Sequence, residues 1–227
     1  MKPVAVITGA SRGIGAAIAR ELVRTHHTFV GGTNPESVQK VVDELGDASP
    51  FVADLNDDAA LAAAAEQVER CDVLIHSAGI EASKPIAETT RDDFRQIFEI
   101  NLFAVAQLTT LLLPKLREAC GHVFTINSGM GIRSRANGAL YSGSKFALRA
   151  FTDALREEER GTIRVTSIHP GRVDTDMQRA MQERDGNPYE QGNYIRPGAI
   201  ADLVRLAVDA TPEAMIEYLE VRPVATS

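Results

Sequence analysis

Val4-Ala5-Val6-Ile7-Thr8 runs directly into Gly9-Ala10-Ser11-Arg12-Gly13-Ile14-Gly15, and the reading of this stretch decides the architecture. Val4 to Thr8 is continuously apolar rather than alternating, the pattern of a β-strand covered on both faces. Glycines at 9, 13 and 15 let the backbone turn sharply and come close to a ligand. The helix that follows, to about Arg24, presents free N–H groups and the positive end of its dipole to a phosphate. The spacing G-x-x-x-G-x-G differs from the dinucleotide fingerprint G-x-G-x-x-G by a longer turn. Its place after the first strand makes it a nucleotide site, with a flexible capped turn as the plainer alternative.

Outward from this turn, short β-rich runs alternate with helix-length amphipathic runs. Strands are predicted at Thr28 to Gly32, Phe51 to Ala53, Asp72 to His76, His122 to Asn127, Ile163 to Ile168 and Ile216 to Val221. Helices are predicted at Pro35 to Leu45, Asp57 to Glu69, Asp92 to Arg117 (its end disturbed by Pro114), Leu140 to Glu158 and Gly198 to Asp209. This alternation predicts an α/β fold: a Rossmann-type doubly wound parallel sheet of about seven strands with helices on both faces. Residues 1–227 read as a single domain. Residues 175–197 form the one long stretch without clear periodicity, rich in Gln, Arg, Gly and Asn, and are expected to be a substrate loop or lid.

Bulk properties exclude several classes. A chain of 227 residues with net charge −7 has no general attraction to nucleic acid or to anionic lipid. No uninterrupted apolar run reaches the roughly 18–20 residues that span a bilayer. Met1-Lys2-Pro3-Val4 leads straight into a strand without room for a signal peptide, so a cytoplasmic enzyme is expected. Cys71 and Cys120 border apolar runs and read as buried free thiols. The histidines at 26, 27, 76, 122 and 169 show no ligand spacing, and no metal is expected.

Cofactor choice is read at the tip of the second strand. A carboxylate there would bind the ribose of NAD and repel a 2′-phosphate. Gly31-Gly32-Thr33-Asn34 contains none. Thr33 and Asn34 offer hydrogen bonds and Arg12 a cation, so NADP(H) is preferred, with NAD(H) as the alternative. Asp54 after the third strand reads equally as an adenine contact or as a cap of the next helix.

Tyr141 and Lys145 stand four residues apart in a helical stretch, on one face. A phenol titrates near ~10, and a nearby ammonium favours its ionised form. The pair therefore makes sense as an acid/base unit, or, taken alone, as a surface pair. Ser128 follows the fifth strand, where ligands bind in open α/β sheets. Asn101 is an amide in an apolar helix and needs a partner.

In these residues the sequence resembles the short-chain dehydrogenase/reductase family. The match runs from Thr8–Gly15 to about Thr175. It takes in Ser77-Ala78-Gly79, Asn101, Ser128, Tyr141-Ser142-Gly143-Ser144-Lys145 and Pro170-Gly171. The resemblance implies that Tyr141 donates the proton in carbonyl reduction and that Ser128 orients the carbonyl oxygen. Lys145 lowers the tyrosine pKa and holds the nicotinamide ribose, and Asn101 supports a water-linked proton path. Gly9, Ser11, Arg12, Gly13, Ile14, Gly15, Asp54, Leu55, Ala78 and Gly79 are the implied cofactor contacts. Pro170, Gly171, Val173 and Thr175 flank the nicotinamide. His76-Ser77 stands where the family has Asn-Asn, and the chain lacks the Asp-Gly-Gly end of acyl-carrier ketoacyl reductases. A small-molecule carbonyl or alcohol substrate follows; a non-catalytic nucleotide-binding regulator on the same fold is the alternative, and an epimerase or dehydratase a further one. Arg133 and Arg135 read either as contacts to an anionic substrate or as solvated arginines. The helix from Ile97 to Leu113 has no polar stripe. With Phe146, Leu148, Phe151 and Leu155 of the helix from Leu140, it predicts a homodimer or homotetramer.

Overall fold

The computed structural model describes residues 2–224. Seven strands, β1 (Val4–Thr8), β2 (His27–Gly32), β3 (Ala48–Val52), β4 (Val73–His76), β5 (His122–Ile126), β6 (Arg164–Pro170) and β7 (Tyr218–Val221), form one all-parallel sheet. Their order is β3-β2-β1-β4-β5-β6-β7. The helices are α1 (Gly13–Leu22), α2 (Pro35–Leu45), α3 (Asp58–Glu66), α4 (Arg91–Phe98), α5 (Ala104–Glu118), α6 (Ala139–Glu158), α7 (Asp176–Arg184) and α8 (Pro197–Val208).

Successive strand residues point to opposite faces, and here both faces are apolar. Ile7, Ile75, Phe124 and Ile168 pack under α1, α2 and α8 against Ile18, Val38 and Val204. Their neighbours Val6, Leu74, Val123 and Val165 pack on the other face against Leu61, Leu108, Leu112 and Leu155 of α3, α5 and α6. Each fully buried side chain of this kind contributes about 1.5–3 kcal/mol, and together they hold the sheet as a rigid floor. The chain moves outward from β1 to β3, then crosses back to β4, whose His76 pairs with Thr8 of β1. This reversal opens a crevice at the carboxyl ends of the strands, where ligands bind in such sheets.

Four local expectations change. The helix predicted from Asp92 to Arg117 is two helices joined by a π turn, Glu99–Phe103, with Asn101 at its centre. π turns break the ordinary helical ladder, frequently at functional sites. Pro114 does not end α5, which continues to Glu118. Residues 175–197 contain α7, begun by the Thr175 hydroxyl, which accepts from the Gln178 N–H. Cys71 is buried as expected, but Cys120 is exposed. It occupies the turn after α5 with φ +48°, the left-handed position that closes many helices.

The continuous helical stretch Arg91–Glu118 is 28 residues long, with a most apolar window of mean hydropathy 1.5, and by length and composition alone it could cross a bilayer. In the fold, Leu108, Leu112 and Leu116 of this stretch are core residues.

Candidate active site

The glycine turn is built by close approach. Gly9 has φ +63°, and a Cβ there would lie 2.8 Å from the Ala78 backbone. A Cβ on Gly15 would collide with the Gly9 carbonyl. The two strand ends are latched by Thr8, whose Oγ1 accepts from the N–H groups of Ser77 and Ala78, both at 3.1 Å. No side chain caps α1 and no acid lies in its first turn. Its leading N–H groups therefore remain available to an anion. The uncapped helix and a turn open enough for two glycines at positive φ fit the pyrophosphate of a dinucleotide.

Beside the turn lies the tip of β2. Arg12 is exposed. The Ser11 hydroxyl lies 3.4 Å from where a Gly32 Cβ would be, and Val38 lies 2.7 Å from it. Position 32 therefore has no room for a side chain, and a test of charge at this tip belongs at exposed Thr33. Asn34 caps α2 through Oδ1, which accepts from Ser37 at 2.9 Å, leaving its amide N–H groups to donate. Asp54 does not cap α3. That is done by Asp57, which accepts from Ala59 and Ala60 at 2.9 and 3.0 Å. Asp54 instead accepts from the backbone and side chain of Asn56, and these bonds hold its carboxyl below the usual range. Leu55 is half-buried against the core.

The other end of the crevice is densely bonded. Tyr141 and Lys145 lie one turn apart on α6, with the Lys145 ammonium 5.8 Å from the tyrosine ring centre. Lys145 is 4% exposed, and its ammonium donates to the Ile126 carbonyl at 3.0 Å. Burial lowers it to about 8. Burial also pushes the Tyr141 phenol up to about 12; the Ser128 hydroxyl pulls the other way, and the Glu81 charge adds to the rise. The sequence reading has the lysine lowering the phenol, whereas here desolvation outweighs every neighbour.

Ser128 is held from two sides. Its N–H donates to Asn127 Oδ1 at 2.9 Å. Its carbonyl accepts from His169 Nδ1 at 3.0 Å, while the other ring nitrogen meets the Ser167 hydroxyl at 2.7 Å. His169 is fully buried, and burial lowers it to about 4, so it is a neutral support of the serine. Asn101, 1% exposed, clamps both backbone groups of Ile80 at 2.9 Å and donates to the Ser144 hydroxyl at 3.0 Å. Ser144 in turn donates to the Tyr141 carbonyl at 2.8 Å. The π turn is thereby tied to the first turn of α6. His76, which stands where the family has asparagine, is buried and bonds Thr109 at 2.9 Å; burial lowers it to about 3.

A cavity of about 840 Å³ opens over this end. Ile14, Gly79, Ser128, Tyr141, Lys145, Pro170, Gly171, Val173 and Thr175 line it together. Gly9, Ser11, Arg12, Gly13, Gly15, Thr33, Asn34, Asp54, Leu55 and Ala78 do not, and Asn101 supports its wall from behind Gly79, whose Cβ would sit 3.2 Å from Oδ1. Thr8, Ile80, Ser144 and Gln178 are structural partners that sequence reasoning does not pick out; His169, whose place before Pro170 reads as structural rather than catalytic, holds Ser128. Of the first four only Thr8 carries a signal, as a hydroxyl ending the strand beside the glycine turn.

Residues 3–186 match the short chain dehydrogenase family. An uncharacterized short-chain type dehydrogenase/reductase of Sinorhizobium fredii is 32% identical over 226 residues, covering 97% of this chain and 91% of the relative. An alcohol dehydrogenase of the archaeon Thermococcus sibiricus, solved with 5-hydroxy-NADP, superposes with TM-score 0.89 at 27% identity, over 99% of this chain and 98% of that one. A metagenomic short-chain oxidoreductase in complex with NADP superposes with TM-score 0.84 at 30% identity, over 99% and 98%. Sheet order, glycine turn and these likenesses agree: the chain belongs to the short-chain dehydrogenase/reductase family and is an oxidoreductase of that family.

Proposed function

We propose that the chain is an NADP(H)-dependent oxidoreductase interconverting a ketone or aldehyde and its alcohol, with Tyr141 giving the proton to the carbonyl oxygen on reduction. The observation that carries this reading is that Ser128, Tyr141 and Lys145 line one cavity together, with the Lys145 ammonium one turn along α6 and 5.8 Å from the Tyr141 ring centre. A phenol held at about 12 stays protonated at neutral pH, the state an acid must be in. Ser128 has a hydroxyl to share with the substrate oxygen, and its backbone is fixed by Asn127 and His169. Lys145 keeps an ammonium beside the phenol, so negative charge appearing on Tyr141 as its proton leaves is stabilised. Asn101 acts by positioning: it holds Ile80 and the start of α6 in place. General-acid groups of this kind contribute about 10²–10⁴ in rate.

The bound nicotinamide supplies or accepts the hydride. Gly9, Ser11, Gly13, Ile14 and Gly15 would hold its pyrophosphate, and Arg12, Thr33 and Asn34 the 2′-phosphate. Asp54, Leu55, Ala78 and Gly79 would hold the adenosine side; Lys145 and Tyr141 the inner ribose; Pro170, Gly171, Val173 and Thr175 the ring. The NADP ligands of the two solved relatives support the choice of cofactor. Residues 175–197, with α7 contributing Gln178 and Gln182 to the cavity wall, act as the substrate lid of one catalytic domain. Phe94, Phe103 and Phe146 are exposed at 37%, 50% and 43% on α4, the π turn and α6. This apolar surface supports a homodimer or tetramer built on these helices.

The test is to mix purified protein with NADPH, then NADH, and a panel of ketones and aldehydes, following the reduced nicotinamide absorbance. The reading requires carbonyl-dependent oxidation, faster with NADPH at limiting cofactor. No turnover across the panel contradicts it.

A further inference from the structure

The cavity wall is basic although the chain carries a net charge of −7. Arg133, Arg135, Arg172 and Arg222 all line it. Two acids line it as well, Glu81 and Asp185, and both are already bonded to Arg184, at 2.7 and 3.0 Å. Arg222 is paired with Glu220 and lies against Gly129, where any Cβ would collide with its guanidinium. Arg133 and Arg135 make no ion pair or hydrogen bond through their side chains among the described residues. Two buried donors of the wall are unspent as well. The side-chain amide nitrogens of Asn127 and Gln178, residues 4% and 7% exposed, have no acceptor among the described residues.

The backbone beneath these arginines is fixed. The Ser134 hydroxyl, between them in sequence, donates to Ser142 at 2.9 Å, the residue after Tyr141. Gly138 donates to the Arg135 carbonyl at 3.1 Å, and the Asn137 carbonyl accepts from Lys84 and Ser83 at 3.0 and 3.1 Å. Asn137 itself takes a left-handed φ of +63°. The segment is thus pinned to the start of α6 on one side and to the loop after β4 on the other. Its two guanidiniums, both exposed, stand at the lip of the cavity that Tyr141 also lines, with no partner among the described residues. Low-dielectric walls focus such a field and raise the local concentration of an anion, and a guanidinium matches a carboxylate bidentately.

We infer that the carbonyl substrate carries a carboxylate, and that Arg133 and Arg135 are the specificity-determining residues that receive it. This rests on the proposed carbonyl reduction and adds to it the class of substrate. The carboxylate sits at the arginine lip while the carbonyl reaches Ser128 and Tyr141, so substrates are keto or aldehydo acids rather than simple ketones. Their alcohol products are hydroxy acids.

The probes are acetoacetate, levulinate and phenylglyoxylate, each against its own methyl ester, with NADPH. The ester keeps the carbonyl and removes the charge. For at least one pair, kcat/KM for the acid exceeds that for the ester by about tenfold or more, the size of a charged hydrogen bond, and the advantage shrinks with added salt. In Arg133→Ala/Arg135→Ala the acid loses this advantage through KM, while kcat and the kinetics of the ester stay within twofold. Arg133→Lys/Arg135→Lys restores part of it. Acid and ester reduced equally well by the native protein, or an acid preference unchanged in the double alanine variant, would overturn the inference and leave carbonyl reduction standing. Turnover of no compound at all overturns both.

Discussion

The two ends of the crevice are built in opposite ways. At the catalytic end Asn101, Lys145 and His169 are 1%, 4% and 0% exposed, and each is bonded to backbone groups that it holds in place. At the proposed adenosine end Arg12, Thr33, Asn34 and Asp54 are exposed, and the side chains of Arg12 and Thr33 have no partners among the described residues. Buried, crosslinked groups are preorganised and strongly felt when removed, whereas exposed charges act through a screened field of modest size. On the proposed function, chemistry is thereby separated from cofactor choice. Substitutions at the first end should move turnover by orders of magnitude, and those at the second should shift cofactor preference by small factors.

The sharpest of these is Lys145→Ala. It removes the ammonium beside Tyr141 and the bond to the Ile126 carbonyl. Turnover is expected to fall about a hundredfold, within the range of acid/base machinery, and the Kd for NADPH to rise about tenfold, as for loss of a charged hydrogen bond. Steady-state kinetics and fluorescence titration read the two separately; loss of only one would break the dual role. Next is Asn101→Ala, which strips partners from the partly buried backbone groups of Ile80. A cost of about 2–3 kcal/mol in stability follows, measured by urea unfolding, together with reduced turnover. A change below about 0.5 kcal/mol would show that the π turn is held by packing alone.

How far this division was legible in the sequence differs by region. The parallel sheet with helices on both faces followed from the alternation of elements and from continuous apolar runs such as Val4 to Ile7, because both faces of the sheet are covered; the order of its strands did not. The glycine turn was legible because close approach admits few residues. The break in the long helix at Asn101 was not, since a π turn leaves the apolar pattern almost intact. α7 was hidden because its partners are the cavity and a Tyr189–Asp174–Arg179 network rather than an apolar core. The sense of the Tyr141 shift could not be read from its spacing to Lys145, because desolvation depends on what the tertiary fold stacks around both. His169 gave no signal as the support of Ser128, since the bond crosses between strand ends far apart in sequence.

The pH dependence sharpens the comparison further. Lys145 is lowered to about 8 and Tyr141 raised to about 12. For carbonyl reduction kcat/KM, which reports the free enzyme, should hold through neutral pH and fall about tenfold per unit above about 8 as the ammonium is lost. Tyr141 adds no limb below 10. In Lys145→Met the limb at 8 should vanish; its persistence would assign it elsewhere. Stability follows with the signs fixed by linkage. Between about 8 and the ordinary lysine range the unfolded chain binds the proton that folded Lys145 has lost, so stability rises with pH there. Between the ordinary tyrosine range and about 12 folded Tyr141 keeps its proton, so stability falls.

The smallest expected effect is at the open end. Thr33→Asp places a carboxylate where the 2′-phosphate is proposed to sit. Repulsion across a solvated gap is on the order of 1 kcal/mol, so NADPH should bind roughly fivefold more weakly. NADH should be unaffected or favoured, and the difference should diminish with salt. Titration of both cofactors checks this, and unchanged NADPH affinity would move the phosphate site away from the tip of β2.

The central claim, that Tyr141 is the proton donor and that the cofactor is held independently of it, is tested most directly by Tyr141→Phe. The ring and its packing remain and only the hydroxyl is lost. In a single-turnover experiment the preformed variant–NADPH complex is mixed with a carbonyl substrate that the native protein reduces. The account predicts native-like NADPH affinity and a hydride-transfer rate lower by about a thousandfold; a rate within tenfold of the native protein would contradict it.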